Sequence, residues 1–324
     1  MSVFARFSFM YLVFSIVATV VIYGFSFEHL GMIGVLTMDL ITYMGAGPWV
    51  WWLSPILVYF VLRHPARLGE AAYGFAATIA LVCGYTLMKG TIPVLVPYWA
   101  DDMMAHWDIV LHGGVAPWEL SHRLSAYIDT DGAARTYSGF WGAFAFSFPA
   151  FLALSDQDQT RKMRFLTLYV LAWIVLGNLI ATVFSSVGPI YADRYYGGDT
   201  FAPMIASLND LTFPGTSLDA LQNWLWDSLI ADDGMTTGGA AISAFPSMHV
   251  AVATIWAIYM TERSWFFAPV AIGFAVTILF LSVYTGWHYA VDGYVSIAVI
   301  LAIYAAVRHL YAENAVGTSR NTVP

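Results

Sequence analysis

Long apolar runs separated by short polar breaks are the feature that most constrains the fold of this chain. A helix that crosses a bilayer needs about 20 mostly apolar residues. Eight runs approach that length, at residues 8–25, 47–63, 71–90, 137–155, 164–187, 243–261, 265–284 and 287–309. Only 10% of the 324 residues are charged, too few to cover a water-soluble protein of this size. The sequence therefore predicts an all-α, polytopic transmembrane helical bundle with about eight spans.

Lysine and arginine are distributed unevenly between the two sides of this predicted bundle. If the N-terminus lies in the cytoplasm, nine of the 13 basic residues fall on the cytoplasmic side, as the positive-inside rule requires. The other four are Lys89, Arg123, Arg135 and Arg194. The two long loops, residues 91–136 and 188–242, then lie outside. We expect a multi-pass protein of the bacterial inner membrane with its active site on the periplasmic side.

The net charge of −8 and the absence of a basic stripe exclude a nucleic acid as partner. The single cysteine, Cys83, lies within an apolar run and is interpreted as a small core residue.

The sixth span opens with a motif that suits an anion, Phe245-Pro246-Ser247-Met248-His249. Proline is favoured in the first turn of a helix, and a helix N-terminus presents free N–H groups to anions. Ser247 adds a hydroxyl donor there. His249 lies close enough to exchange a proton with a group bound at that helix end.

The eighth span opens with a histidine and an aspartate four residues apart, His288 and Asp292. Residues at this spacing share one face of a helix. A carboxylate bonded to one ring nitrogen fixes the tautomer and leaves the other nitrogen free to react. Because both spans begin on the outer side, the sequence predicts that His249, His288 and Asp292 form one site.

These two motifs, Pro-Ser-x-His and His-x-x-x-Asp, resemble the second and third signatures of the type 2 phosphatidic acid phosphatase superfamily. The resemblance implies that His288 attacks phosphorus, that Asp292 orients it and that His249 protonates the leaving oxygen. It also implies chemistry without a metal or another cofactor.

The same resemblance implies a division of the chain. Residues 71–312 would form a six-helix catalytic membrane core that carries both long outer loops. Residues 1–70 would add two N-terminal transmembrane helices, and residues 313–324 would form a cytoplasmic tail.

The chain departs from the superfamily pattern at several positions. Met248 replaces the usual glycine, Ser282 replaces the arginine of the third signature, and the first signature, Lys-x6-Arg-Pro, is absent. The element Gly188-Pro189-Ile190-Tyr191 is more similar to the inositol phosphorylceramide synthase branch, which transfers a phosphorylated head group between lipids. This similarity favours head-group transfer over hydrolysis, with a lipid phosphate as donor and a hydroxyl-bearing lipid or sugar as acceptor.

Loss of the signature arginines leaves the phosphate without its usual cations, which a phosphoryl transition state requires. Of the four outer basic residues, Lys89 and Arg194 are the candidate phosphate ligands. Tyr191 is a candidate hydrogen-bond donor, and Asp108 is a candidate contact for a polar head group or for Lys89.

Histidines and aspartates in the first outer loop also suggest a divalent metal site. They are Asp101, Asp102, His106, Asp108, His112 and His122. No recognised ligand spacing is present, so we expect no metal.

Three alternative functions stay open. The chain could be a plain lipid phosphate phosphatase, for example acting on a polyprenyl phosphate or phosphatidic acid, or a family member that has lost its chemistry. It could also be a transporter with a His/Asp proton relay, but that function requires charges in the middle of spans, where this chain has almost none.

Overall fold

The computed structural model describes residues 1–47, 49–211, 215–230 and 242–320, and the regular structure in these ranges is helical, without a β-strand. The helices are α1 (Ser2–Tyr23), α2 (Phe27–Ala46), α3 (Trp49–Arg63), α4 (Leu68–Leu95), α5 (Asp101–Leu111), α6 (Pro117–His122), α7 (Thr130–Ala134), α8 (Trp141–Ser155), α9 (Gln159–Leu171), α10 (Ala181–Val183), α11 (Pro189–Tyr196), α12 (Ala202–Asp210), α13 (Ser217–Ile230), α14 (Met248–Arg263), α15 (Ala268–Tyr284) and α16 (Ala290–Arg320). Two π-helical segments, Arg135–Phe140 and Ala172–Ile180, join α7 to α8 and α9 to α10.

Six of the described helical segments are long and apolar enough to cross a membrane. They are Ser2–Tyr23, Pro65–Leu95, Thr130–Ser155, Gln159–Val183, Trp265–Tyr284 and Ala290–Ala312. The predicted all-helical membrane fold is thus confirmed. The predicted spans 47–63 and 243–261 correspond to shorter helices, α3 with 15 residues and α14 with 16. The second is short because the apolar residues before Ser247 are not helical, and the chain bends at Phe245 and Pro246.

Helix α2 is not among the predicted spans, because three glycines and three ionisable residues interrupt its apolar sequence. Packing nevertheless stabilises it against the bundle. Met32 packs against Leu87 of α4, and the Tyr43 hydroxyl donates a hydrogen bond to the carbonyl of Ser138, 3.0 Å away. Helices α2 and α3 together lead the chain back along the bundle.

The described helices alternate between two ends of the bundle. At one end, which we call the site end, the Tyr23 hydroxyl at the close of α1 donates to the Gly90 carbonyl near the end of α4. At the opposite end, the far end, Arg67 and Arg263 both contact Asp156. Helices α1, α4, α9 and α15 run toward the site end, whereas the α2–α3 pair, α8, α14 and α16 run away from it. With α2 and α3 counted together, eight described segments run between the two ends, and six of them are long and apolar enough to cross a membrane.

Asp156 organises the far end. Its side chain is fully buried, and Arg161 donates to both carboxylate oxygens at 2.7 Å. Arg67 donates to its backbone carbonyl at 3.0 Å, and Arg263 lies 3.9 Å from its carboxylate. Burial alone would raise the pKa of Asp156, but the bonds from Arg161 outweigh burial and hold that pKa below its usual value. The carboxylate therefore joins the ends of α9 and α14, and the backbone carbonyl of the same residue holds the segment before α4.

Helix α14 lies at the centre of the bundle, in contact with α8, α9, α15 and α16. Its fully buried positions include Val250, Ala251, Ala253 and Ile255. Small side chains allow membrane helices to approach closely. This packing brings the N-terminus of α14 beside that of α16.

Candidate active site

His288 and Asp292 form a buried pair at the turn between α15 and α16. His288 Nδ1 lies 3.0 Å from Asp292 Oδ2, and the side chains are 5% and 0% exposed. The backbone N–H of Tyr289 donates to the same oxygen, 3.1 Å away. The carboxylate thus fixes the imidazole with Nδ1 toward Asp292, so that Nε2 is the ring nitrogen turned away from the carboxylate.

The local structure of this pair differs from the expectation of a shared helical face. Helix α16 begins at Ala290, so His288 precedes it and Asp292 lies in its first turn. The His288 N–H instead donates to the Ser282 carbonyl, 3.1 Å away, which holds the turn against the end of α15. The two side chains therefore meet at the N-terminus of α16, and they do not lie one turn apart on the same helix.

Asp108 of α5 holds that helix N-terminus. Its two carboxylate oxygens accept the backbone N–H groups of Ala290 and Val291, each at 2.8 Å. A carboxylate is favoured there because it satisfies free N–H groups at the positive end of the helix dipole. Burial raises the pKa of Asp108, and these two N–H groups oppose part of that rise. The predicted contact with Lys89 is not present, and Asp108 positions the His288 turn.

Asp101 of α5 fixes the segment on the other side of this turn. Its carboxylate accepts the Ser186 hydroxyl at 2.7 Å and the N–H groups of Val187 and Gly188 at 3.0 and 2.8 Å. The Tyr289 hydroxyl donates to it as well, at 3.2 Å. Sequence reasoning missed this role, although Asp101 and Asp108 stand two helical turns apart and therefore share a face of α5.

Gly188 lies where only a glycine fits. Its φ is +87°, and a Cβ there would lie 2.7 Å from the carbonyl oxygen of Trp287. A side chain at this position would therefore push against the backbone next to His288. This contact gives a structural reason for the glycine of the Gly-Pro-x-Tyr element.

His249 faces His288 from the start of α14. The two ring centroids are 6.1 Å apart. The His249 ring stacks on Tyr137, with centroids 4.2 Å apart, and lies 4.0 Å from the Trp141 ring. Tyr137 belongs to the π-helical segment before α8, and such irregular turns occur frequently at functional sites. These two aromatic residues hold the proposed acid in place, and no sequence signal identified them.

The two histidines share a cavity of about 230 Å³ with Lys89. Lys89 is the one lysine or arginine among the described residues that line it. No carboxylate lies within 4.0 Å of its ammonium group in the described part of the chain. The structure therefore brings together His249, His288, Asp292 and Lys89, with a free cation at the cavity.

The remaining predicted ligands do not face this cavity. Arg194 is exposed, with its guanidinium 5.8 Å from the ring centroid of Trp226. The Tyr191 hydroxyl is buried and donates to the Gln222 carbonyl, 3.0 Å away. The Ser247 hydroxyl accepts the Val250 N–H as the N-cap of α14.

The histidines of the first outer loop make structural contacts. His122 bonds the Ser207 hydroxyl at 2.8 Å and the Tyr284 carbonyl at 2.9 Å, and burial lowers its pKa. His112 bonds the Tyr294 hydroxyl, 2.9 Å away. Among the described residues, no group of three or more His, Cys, Asp or Glu side chains is arranged to hold a metal ion.

Comparison with models of known protein families gives a match. The family model described as the PAP2 superfamily matches residues 130–306, more than half of the chain. No curated protein and no solved structure matches. The matched region contains the paired histidines and Asp292, whereas Lys89, Asp101 and Asp108 precede it. The chain belongs to the PAP2 superfamily.

Proposed function

We propose that this protein is a membrane-embedded enzyme that moves a phosphoryl group on or off a lipid through a phosphohistidine at His288, with head-group transfer favoured over hydrolysis. The observation that carries the proposal is the pair of facing imidazoles, 6.1 Å apart, in a cavity that also contains Lys89. One imidazole is held by a buried carboxylate, as a nucleophile requires.

The first step forms the covalent intermediate. His288 Nε2 attacks phosphorus, the bond between phosphorus and the leaving oxygen breaks, and His249 gives its proton to that oxygen. Asp292 stabilises the positive charge that develops on the His288 ring. Proton transfer of this kind contributes about 10² to 10⁴ in rate.

The second step releases the phosphoryl group. An acceptor hydroxyl attacks phosphorus and gives its proton to His249, while the bond from phosphorus to His288 breaks. If the acceptor is water, the reaction is hydrolysis; if it is a lipid or sugar hydroxyl, the reaction is transfer. Neither step needs a metal or another cofactor.

The single lysine or arginine among the described residues that line the cavity supports a phosphodiester as the donor. A phosphate monoester carries about −1.5 to −2 at pH 7, whereas a phosphodiester carries about −1. A single lysine lines the described cavity, which balances the charge of a diester better than that of a monoester. This balance also agrees with the similarity to the inositol phosphorylceramide synthase branch.

The basic residues support a location for the site. The far end gathers most of them, including Arg67, Arg161, Arg164 and Arg263, and such residues mark the cytoplasmic side. The site end then faces outward, which in a bacterium is the periplasm. The substrate enters from the bilayer with its phosphate at that interface.

Labelled lipid tests this function directly. Purified protein is incubated with a lipid that is radiolabelled at phosphorus, with and without a hydroxyl-bearing acceptor. We expect labelled lipid product only with the acceptor, and an acid-labile labelled protein in the wild type but not in His288→Ala. Release without an acceptor of inorganic phosphate from a monoester, or of a phosphorylated head group from a diester, would mean hydrolysis. Turnover by His288→Ala at near wild-type rate would contradict the covalent mechanism.

A further inference from the structure

A second cavity, of about 480 Å³, also has His288 in its wall. It lies between α5, α6, α12 and the turn before α16, and no part of the mechanism above uses it. Its walls include the aromatic side chains of Trp118, Phe201 and Tyr289. A cavity of this volume is in the range that binds small ligands.

The charge of this cavity is opposite to that of the first. No lysine or arginine is among the described residues that line it, but Asp108 and Glu119 are. Both carboxylate oxygens of Asp108 already accept N–H groups at the N-terminus of α16. Glu119 is exposed, and its carboxylate has no hydrogen bond or ion pair with any residue that the structure describes, so its negative charge is available to a ligand.

We propose that the second cavity binds an ammonium-bearing head group that stays on phosphorus during the reaction, so that the donor is a zwitterionic phosphodiester lipid. Aromatic faces attract ammonium groups, and an unpaired carboxylate adds charge complementarity. An anionic group would meet two carboxylates and no cation. The inference rests on the proposed function for the position of the phosphate at Lys89.

The stereochemistry of phosphoryl transfer agrees with this assignment. Attacking and leaving atoms lie roughly in line through phosphorus, so the line runs from His288 toward the leaving oxygen near His249. A substituent that is retained on phosphorus projects to the side of that line. Because His288 borders both cavities, such a substituent can extend from the phosphate into the second cavity. Its bond to phosphorus stays intact in both steps.

Equilibrium binding of defined lipids to the full-length protein tests the proposal without turnover. The probes are phosphatidylcholine, phosphatidylinositol and phosphatidic acid with identical acyl chains. The informative variant is Glu119→Gln, which keeps the shape and removes the charge. Asp102→Asn is the matched control, because Asp102 is exposed on α5 and does not line the cavity.

We expect Glu119→Gln to bind phosphatidylcholine about fivefold more weakly at low salt, since the attraction between an exposed carboxylate and the quaternary ammonium is lost. Phosphatidylinositol and phosphatidic acid should bind within twofold of wild type, and the control should change none of the three. A Trp118→Leu variant should show the same selective loss. Tighter wild-type binding of phosphatidylinositol, or an equal effect of Glu119→Gln on all lipids, would overturn the proposal. The phosphoenzyme test at His288 is independent of these results.

Discussion

At the scale of single residues, the candidate site depends on how one carboxylate holds one imidazole. Asp292 Oδ2 accepts from both the His288 ring and the Tyr289 N–H. In Asp292→Asn, an amide cannot stabilise the positive ring, and its NH₂ group favours the wrong tautomer. We expect kcat to fall by up to about 10⁴-fold, the loss found for the same change in the unrelated Ser-His-Asp triad. Single-turnover rates with labelled lipid measure this loss, and a fall of less than tenfold would contradict the orienting role.

Lys89 presents a second test at this scale. In Lys89→Met the described cavity loses its one lysine or arginine, so we expect kcat/KM to fall about 10²- to 10³-fold, as for loss of one electrostatic contact to the transition state. Lys89→Arg should retain more activity because it keeps the charge. Arg194→Met is the matched control, since Arg194 lies over Trp226 and outside the cavity. An equal loss in Arg194→Met would show that this arginine reaches the phosphate.

At the scale of elements, α5 acts as a brace for the start of α16. Asp108 is 182 residues from Ala290 in sequence, yet it caps the helix that carries Asp292. Asp108→Asn replaces one accepting oxygen by an NH₂ group that faces a backbone N–H. We expect a stability loss of about 1–3 kcal/mol for the unsatisfied buried donor and a roughly tenfold lower kcat because the His288 turn shifts.

The matched control for this brace is Asp102→Asn, on the exposed face of the same helix. Thermal unfolding and turnover of the two variants are compared in the same detergent. If both variants behave as wild type, the cap of Asp108 does not position the site.

At the scale of the whole molecule, the far end makes stability dependent on pH. The pKa of Asp156 is lowered in the folded protein, so its contribution to stability is fully present above the usual aspartate pKa of about 3.9. That contribution is lost as pH falls through the lower folded value. We expect the Tm of wild type to drop on acidification below about pH 4, more steeply than the Tm of Asp156→Asn.

Near neutral pH, Asp156→Asn should unfold at a lower temperature, because removal of one partner of a buried ion pair costs about 3–5 kcal/mol. Two of its arginine partners are partly exposed, which places the loss at the low end. Turnover per folded molecule should stay unchanged, since Asp156 lies at the opposite end from His288. A Tm equal to wild type at pH 7 would show that the cluster does not join the helix ends.

Sequence patterns alone were enough to predict the helical membrane class of the molecule and to single out the proposed reacting residues. The composition and the length of the apolar runs decide whether a chain enters a bilayer. Each span must form all of its backbone hydrogen bonds internally and present apolar side chains to lipid. Charge bias placed His249 and His288 at one end, where the structure has them facing each other. The superfamily resemblance rested on the same short motifs, and the family match includes them.

The surroundings of those residues depend on how the helices pack and could not be predicted from the sequence. Lys89 and Arg194 are equivalent in sequence reasoning, and the packing of α4 against α8 and the π-helical segment after α9 brings the first alone to the cavity. The bonds of Asp101 and Asp108 join residues more than 80 positions apart, and α2 is helical through contacts with other helices. Local sequence patterns predict contacts between residues within one helical turn or one span. The interactions around the site instead join distant parts of the chain and form only when the helices pack.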